Sequence, residues 1–174
     1  MKYIILRYRN LLVCGICLIV LAGVVLLSGL YGQVSGVFND NKREVPIYAV
    51  DTKEKKIAIS FDAAWGADCT PTLLKILKEN NIKTTFFLTG IWVEEYPEMV
   101  KTIAKEGHEL GNHSTTHPHC NSLAEEEFLK ELKDNEQMIY KLTKKHTSLF
   151  RPPFGEYNDL NIKAARANGY EVIQ

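Results

Sequence analysis

Residues 56–89 decide the fold, and they read KIAISFDAAWGADCTPTLLKILKENNIKTTFFLT. An apolar, β-rich run that ends at Phe61 is followed by three leucines spaced for one helical face, and a second β-rich run ends at Thr89. This order predicts a strand, a helix and a strand. The pair Thr70-Pro71 is typical of a helix start. Two strands joined by a helix indicate a parallel α/β sheet.

The same alternation of strand and helix patterns continues through the rest of the chain. About five strands form either an open, doubly wound sheet or a closed or partly closed barrel, and they are too few to close a barrel of the eight-stranded type. A parallel sheet that stopped at Gln174 would leave an exposed edge, so we expect a truncated chain. The predicted strands are 56–61, 83–89, 108–111, 148–151 and 170–173, and the predicted helices are 70–80, 97–106, 123–142 and 158–168.

Residues 11–30 contain no charge and no proline. Twenty helical residues match the thickness of a bilayer core, about 30 Å, so this segment is predicted to be a transmembrane anchor. The cations Lys2, Arg7 and Arg9 precede it. By the positive-inside tendency, residues 1–10 are expected in the cytoplasm and the rest of the chain outside it, on a single-pass membrane protein.

A cleaved signal peptide is the alternative for the same segment. The apolar run is longer than the usual one of about 7–15 residues, and no A-x-A site follows it, although residues 28–36 offer small side chains. Either outcome exports the remainder. Residues 31–54 are polar and lack periodicity, which predicts a linker that includes a short strand at 47–50.

Length and charge exclude several classes of protein. The 174 residues suffice for about one large domain. Lysine plus arginine equals aspartate plus glutamate at 21 each, which argues against a nucleic-acid binder driven by bulk charge. Cys69 and Cys120 are the two exported cysteines, so the sequence allows one disulfide without showing that they are close enough.

Polar side chains follow three of the predicted strands. Asp62 comes directly after the first strand, His113 and His117 follow the third, and Arg151 ends the fourth. In α/β folds the carboxyl ends of parallel strands meet at one rim, where functional groups gather. We therefore expect an acid, two histidines and an arginine to face one site.

The two histidines form an H-x-x-x-H motif. On a helical turn this spacing places two imidazoles about 5–6 Å apart at Cβ, a separation that suits two ligands of one metal. The alternative is a polar loop that happens to contain histidines. His108 begins a strand and is expected to be packed or capping.

Three residues of the first loop have two interpretations each. Asp62, at the end of an apolar strand, is either functional or paired with Arg151 in a structural ion pair. Asp68 is either a metal ligand or a side chain that stabilises the loop. Trp65 is either a platform for a sugar ring or a cover for one end of the core.

Three motifs together resemble a known family. They are S-F-D at 60–62, H-S-x-x-H at 113–117 and R-P-P-F-G at 151–155, in that order. They resemble those of the polysaccharide deacetylases, the NodB-homology carbohydrate esterases of family 4. The sequence of residues 55–174 is similar to those of the family branch that is found in spore-forming bacteria and associated with peptidoglycan.

The resemblance implies an incomplete, deformed (β/α) barrel of the NodB-homology type. It also implies metal-dependent hydrolysis of N-acetyl groups on the amino sugars of peptidoglycan. Asp62 would be the general base, His113 and His117 would bind a divalent metal, and Arg151 would orient the base. The metal would be zinc, with cobalt, manganese or nickel as alternatives. Trp65 would contact the substrate, and the acetyl pocket would be formed by Pro152, Pro153, Phe154 and Gly155.

Two departures from the family pattern bear on activity. Many members have a second aspartate after the base, whereas Ala63 follows Asp62 here. Asp68 is our candidate for the missing third ligand. Family members also continue past the equivalent of Gln174 to a histidine that acts as general acid, so the proton donor for the leaving amine is not identified.

Several functions therefore stay open. The first hypothesis is an exported, membrane-anchored polysaccharide deacetylase that acts on peptidoglycan, with the truncated chain active or inactive. The alternative is a non-catalytic, membrane-anchored protein that binds glycan or metal. A fragment completed by another chain is a third hypothesis. No nucleic-acid partner is expected, and the sequence does not distinguish glucosamine-type from muramic-type sugars.

Overall fold

The computed structural model describes residues 13, 19–26 and 43–174. The chain divides into two units, Met1–Lys42 and Arg43–Gln174. Within the predicted anchor at 11–30, residues 13 and 19–26 are helical, and the other positions lie outside the described residues, as do 1–10 and 31–42. A search of the described part of the chain finds no helix with the length and apolar character needed to cross a membrane.

The second unit is built on a sheet of five parallel strands, as the sequence predicts. The strands lie side by side in chain order. Sequential order is the arrangement of a (β/α) barrel, whereas a doubly wound sheet reverses its order part-way. The strands are β1 (Ser60–Ala63), β2 (Thr85–Leu88), β3 (Glu109–Asn112), β4 (Leu149–Phe150) and β5 (Glu171–Val172).

Helices cover the sheet between successive strands. Four of the five α-helices in this unit were predicted to within about two residues at each end. The fifth, a six-residue helix after β2, was not, because six residues show no helical periodicity. The helices are α1 (Thr70–Glu79), α2 (Gly90–Glu95), α3 (Pro97–Lys105), α4 (Glu125–Thr143) and α5 (Asp159–Ala167), with 3₁₀ turns at Cys120–Ser122 and Pro153–Gly155.

The first strand begins later than predicted. The pattern indicated 56–61, but β1 spans Ser60–Ala63, where each residue has a Cα partner on β2. Ile57 lies before the paired part and its side chain is 87% exposed. The apolar alternation of this segment therefore extends beyond the part that β2 covers.

The core consists of two clusters on the sheet. One cluster joins β2 and β3 to the inner faces of α1, α2 and α3, and Trp92 at its centre is fully buried. The other joins β4 and β5 to α4 and α5 around Phe128 and Phe150. These packed faces hold the ends of the strands in fixed positions relative to one another.

Part of the predicted linker belongs to this unit. Ile47 pairs with Ile173 in an isolated parallel bridge, its amide donating to Val172 O at 2.8 Å while its carbonyl accepts from Gln174 N at 2.9 Å. Cys69 is exposed, Cys120 is buried, and both are free thiols. The disulfide that the sequence allowed is therefore not formed.

Candidate active site

The carboxyl ends of β1, β3 and β4 meet around an open cavity of about 420 Å³. This is the rim at which the sequence predicts a site. The loops after these strands supply the walls, so residues far apart in the chain become neighbours. The cavity is lined by Asp62, Ala64, Trp65, His113, His117, Arg151, Pro152, Phe154, Gly155 and Gln174.

Arg151 and Asp62 form an ion pair at this rim. Arg151 Nη1 donates to Asp62 Oδ1 at 2.7 Å, and its Nη2 donates to Ser60 Oγ at the same distance. The guanidinium also lies 4.1 Å from the ring centroid of Phe87. A planar guanidinium can make all three contacts at once, so the orientation of the Asp62 carboxylate is fixed.

A glycine on β3 makes room for the Phe87 ring. A Cβ atom at Gly111 would lie 2.4 Å from Phe87 Cδ1, which is closer than any real contact. The Phe87 ring can therefore occupy this position next to Arg151 only because Gly111 has no side chain. Gly111 thus allows Phe87 to pack against the Arg151 guanidinium.

His113 is buried and its ring orientation is fixed. Its Nδ1 lies 2.7 Å from the backbone carbonyl of Arg151, and only 3% of the residue is exposed. A carbonyl can only accept, so Nδ1 carries the proton and Nε2 keeps its lone pair. Burial lowers the pKa of His113, against smaller raising contributions from the Arg151 carbonyl and the Asp62 charge. The neutral imidazole that a metal requires is thus favoured.

His117 lies beside His113, with 5.0 Å between the ring centroids. Its backbone adopts a left-handed conformation with φ of 57°, and its amide donates to Ser114 Oγ at 3.1 Å. The loop is thus not the helical turn that would explain the spacing, yet it brings the two imidazoles together as predicted.

Two exposed aromatic side chains lie beside His117. Trp65 is 78% exposed and Phe154 is 60% exposed, with ring centroids 6.0 Å and 4.6 Å from that of His117. The buried Trp92 holds the Trp65 loop by donating from Nε1 to Gly66 O at 2.7 Å. The cavity therefore combines polar groups at its floor with apolar ring faces at its rim.

Residues 49–173 match the family model for polysaccharide deacetylase, which covers most of the chain. The chain belongs to the polysaccharide deacetylase family. It is 35% identical over 127 residues to the peptidoglycan-N-acetylmuramic acid deacetylase PdaA of Bacillus subtilis, covering 72% of this chain and 48% of PdaA. It is 34% identical over 119 residues to a peptidoglycan-N-acetylglucosamine deacetylase of Bacillus cereus, covering 68% and 43%.

The fold also matches solved structures of carbohydrate esterase family 4. One is a pseudoenzyme of this family from Bacillus anthracis, with a TM-score of 0.72 and 35% identity over 75% of this chain and 46% of that one. A mutant of that pseudoenzyme has restored enzymatic activity. This polysaccharide deacetylase chain spans about half the length of the curated relatives that it matches.

Two predicted site residues of the polysaccharide deacetylase chain are not in the cavity wall. Pro153 is buried at the start of the turn that carries Phe154. Asp68 is exposed beyond Gly66, which has a φ of 57° and turns the loop. The charge of Asp68 acts on Tyr96, whose pKa is raised first by its hydrogen bond to Glu95 and least by Asp68. The structure thus does not bring Asp68 to the histidines.

The metal that the family implies can be tested against these residues. Each histidine is a suitable donor, and the Nδ1 contact of His113 with a carbonyl is the kind of partner that metal-binding histidines have. Catalytic zinc usually has three protein ligands. In the described part of the chain, no group of three or more His, Cys, Asp and Glu side chains is placed to hold a metal ion. His113 and His117 therefore suit a metal as two of its ligands.

Some residues at the site were missed by the sequence analysis. Ser60 holds Arg151 and lies two positions before Asp62 on the same strand, so the period of two could have indicated a shared face. Glu131 of α4 contacts the histidine loop, but its helix reads as an ordinary amphipathic helix and no local signal marks it. Gln174 reaches the cavity from beyond β5.

Proposed function

We propose that this chain carries the site of a metal-dependent deacetylase that removes N-acetyl groups from peptidoglycan-type amino sugars. The observation that carries the proposal is the meeting of an arginine-held carboxylate and two adjacent histidines at one cavity. Relatives that act on N-acetylmuramic acid and on N-acetylglucosamine support the substrate class. Either sugar is compatible with an open cavity.

The chemistry follows from the residue types. An amide carbonyl is a poor electrophile, and the chemistry supplied by a divalent metal on the histidine pair is Lewis-acid polarisation of a carbonyl oxygen. Asp62 accepts a proton from the attacking water and returns it to the nitrogen of the leaving amine, so that acetate and the free amine form. Arg151 holds the carboxylate in a fixed orientation at the cavity. The buried position and fixed tautomer of His113 hold one nitrogen lone pair toward the site.

The aromatic rim provides the recognition of the sugar. Trp65 and Phe154 are exposed beside His117, and one face of the Phe154 ring is stacked on His119. Sugar rings have apolar faces that pack on aromatic side chains, while their hydroxyl groups remain in water. The acetyl group then points down toward the polar floor. The turn at Pro152–Gly155 shapes the pocket for it.

Acetate release from N-acetylated peptidoglycan fragments tests the proposal. The full chain is assayed with added zinc and again with a chelator, which is expected to abolish release. Asp62→Asn should stop turnover while zinc uptake persists, because the metal-binding histidines are unchanged. His113→Ala with His117→Ala should abolish zinc uptake. Turnover by Asp62→Asn would show that another group is the base.

A second function is favoured by two observations. Ala63 stands where many family members have a second aspartate, and a structural neighbour is a pseudoenzyme. A non-catalytic chain would bind glycan or metal without turnover. It predicts retention on peptidoglycan with no acetate released at any metal concentration, and Trp65→Ala should reduce that retention.

We also propose that the deacetylase unit is exported and anchored by residues 11–30. The support is the uncharged run in the sequence and the cations that precede it. Protease added to intact cells or spheroplasts should cleave the unit from Arg43 onward, and alkaline carbonate should leave the uncleaved chain with the membrane. Release by carbonate would contradict the anchor.

A further inference from the structure

The loop between the two histidines has an unusual backbone. Ser114 and His117 have φ values of 66° and 57°, although neither is glycine. Left-handed conformations are unfavourable for such residues and persist when the surroundings enforce them. Contacts from outside the loop must therefore hold residues 114–117 in place.

One side of the loop is held by the start of α2. Gly90 N donates to Ser114 O and Ile91 N donates to Thr115 O, both at 3.0 Å. The approach is close enough that a Cβ atom at Gly90 would lie 2.9 Å from Thr115 Cα. These contacts bind the carbonyl groups of the loop and leave its amides to other partners.

The other side of the loop is held by Glu131, in the middle of α4. Its Oε2 accepts from Thr115 N at 2.8 Å and from Thr116 N at 2.7 Å, and its Oε1 accepts from Thr116 Oγ1 at 2.9 Å. The backbone carbonyl of Glu131 accepts from Thr115 Oγ1 at 2.7 Å. One residue thus receives four hydrogen bonds from the two threonines between the histidines.

We infer that Glu131 is a positioning residue for the histidine pair. Its carboxylate binds the amides of two of the four peptide units between His113 and His117, and the path of these units determines where the second imidazole points. The inference rests on the proposed function, because it assigns the contacts to the histidines as ligands. Without the carboxylate, two amides lose their acceptor and the left-handed residues can relax.

General stability and bare charge are the two roles of Glu131 that must be separated from positioning. The residue could serve only the stability of the fold, or its negative charge could attract a cation without any hydrogen bond to the loop. Glu136, five residues further on the same helix, provides a matched control. It accepts from Thr147 N at 3.0 Å and from Thr147 Oγ1, and it is also half-buried, but it holds a different loop.

The experiment measures zinc affinity and thermal unfolding of the full chain and four variants. Glu131→Ala is expected to weaken zinc binding about tenfold or more, as loss of an outer-shell partner does. Glu131→Gln keeps an acceptor for the amides and should stay within about threefold of the parent chain. Glu136→Ala and Glu136→Gln should lower the unfolding temperature as the Glu131 variants do, with zinc affinity unchanged.

Three results would overturn the inference. Equal losses in Glu131→Ala and Glu136→Ala would assign the effect to stability, and equal losses in Glu131→Gln and Glu131→Ala would assign it to charge. If the parent chain binds no zinc, the proposed metal site fails. Hydrogen exchange at the Thr115 and Thr116 amides then shows whether Glu131 positions the loop. Faster exchange in Glu131→Ala, with no change in Glu136→Ala, supports positioning, and unchanged exchange overturns it.

Discussion

Arg151 makes three different contacts with one guanidinium group: an ion pair with Asp62, a hydrogen bond to Ser60 and a stack on Phe87. Lysine carries the same charge but has neither the fork nor the plane. Arg151→Lys is therefore expected to lose about 2 kcal/mol of unfolding free energy and most of the acetate release, while zinc uptake is kept. Urea unfolding and zinc titration check this, and a variant with full release would refute the orienting role.

Asn135 on α4 is fully buried, and its Nδ2 donates to Leu88 O at 2.7 Å and to Asn112 Oδ1 at 3.0 Å. Both acceptors lie at strand ends next to the histidine loop. Asn135→Leu is expected to destabilise the fold by about 2 kcal/mol, because two buried acceptors each lose one of their two donors and keep only the amides of His113 and Ser114. The exposed Gln137 is the control, and Gln137→Leu should change stability little. Similar unfolding midpoints for both variants would contradict this account.

How far the sequence predicts the site depends on whether a residue follows a strand. Asp62, His113 and Arg151 could be placed at one rim, because parallel strands share a carboxyl edge. Asp68 could not, since it lies six residues after Asp62 in a loop whose path the sheet does not determine, and it does not line the cavity. Glu131 reaches the site only through the packing of α4, which no local pattern encodes.

The short helix α2 lies close to the histidine loop because its first residue, Gly90, has no side chain. Gly90→Ala would place a Cβ atom 2.8 Å from Thr115 Cγ2 and 2.9 Å from Thr115 Cα. Since the second contact is with backbone, rotation of the threonine cannot relieve it. The variant is expected to cost about 2 kcal/mol of stability and to weaken zinc binding.

A double variant separates backbone from side-chain crowding at this contact. Thr115→Ser removes Cγ2 but leaves the backbone in place. Gly90→Ala with Thr115→Ser should therefore remain as impaired as Gly90→Ala alone, in both unfolding temperature and zinc affinity. Full rescue by the serine would show that only the methyl group was crowded.

The helices that the sequence predicts share one property: each buries a regularly spaced stripe of apolar side chains. Helix α4 spans 19 residues with Phe128, Leu132 and Ile139 buried, so its periodicity is clear. Helix α2 has six residues and is specified by contacts instead, with Thr89 Oγ1 accepting from Trp92 N at 3.3 Å. The strands were found from β-rich runs, but their ends depend on where a neighbour pairs.

Two buried histidines make the stability of the folded chain depend on pH. His108, directly before β3, accepts a hydrogen bond at Nδ1 from Thr84 N, 3.3 Å away, so that nitrogen is unprotonated. Burial lowers the pKa of His108, the Lys83 charge lowers it further, and the Glu106 charge opposes this. Burial also lowers the pKa of His113.

The direction of the pH effect follows from these shifts. In the unfolded chain each histidine titrates near its ordinary value of about 6.5, whereas the folded chain resists protonation at both. The unfolded state therefore binds more protons below that pH, and stability falls as pH decreases. Above about pH 7 both states are neutral at these positions, and their contribution to the pH dependence vanishes.

His108→Asn isolates one of the two groups. Asparagine keeps an acceptor near the position of Nδ1 but does not titrate. The unfolding free energy of the variant should therefore fall clearly less than that of the parent chain between about pH 7 and pH 5. The fall that remains is assigned to His113. Urea unfolding of the parent chain and the variant across this range measures it. An equal fall in the parent chain and His108→Asn would remove His108 from the account.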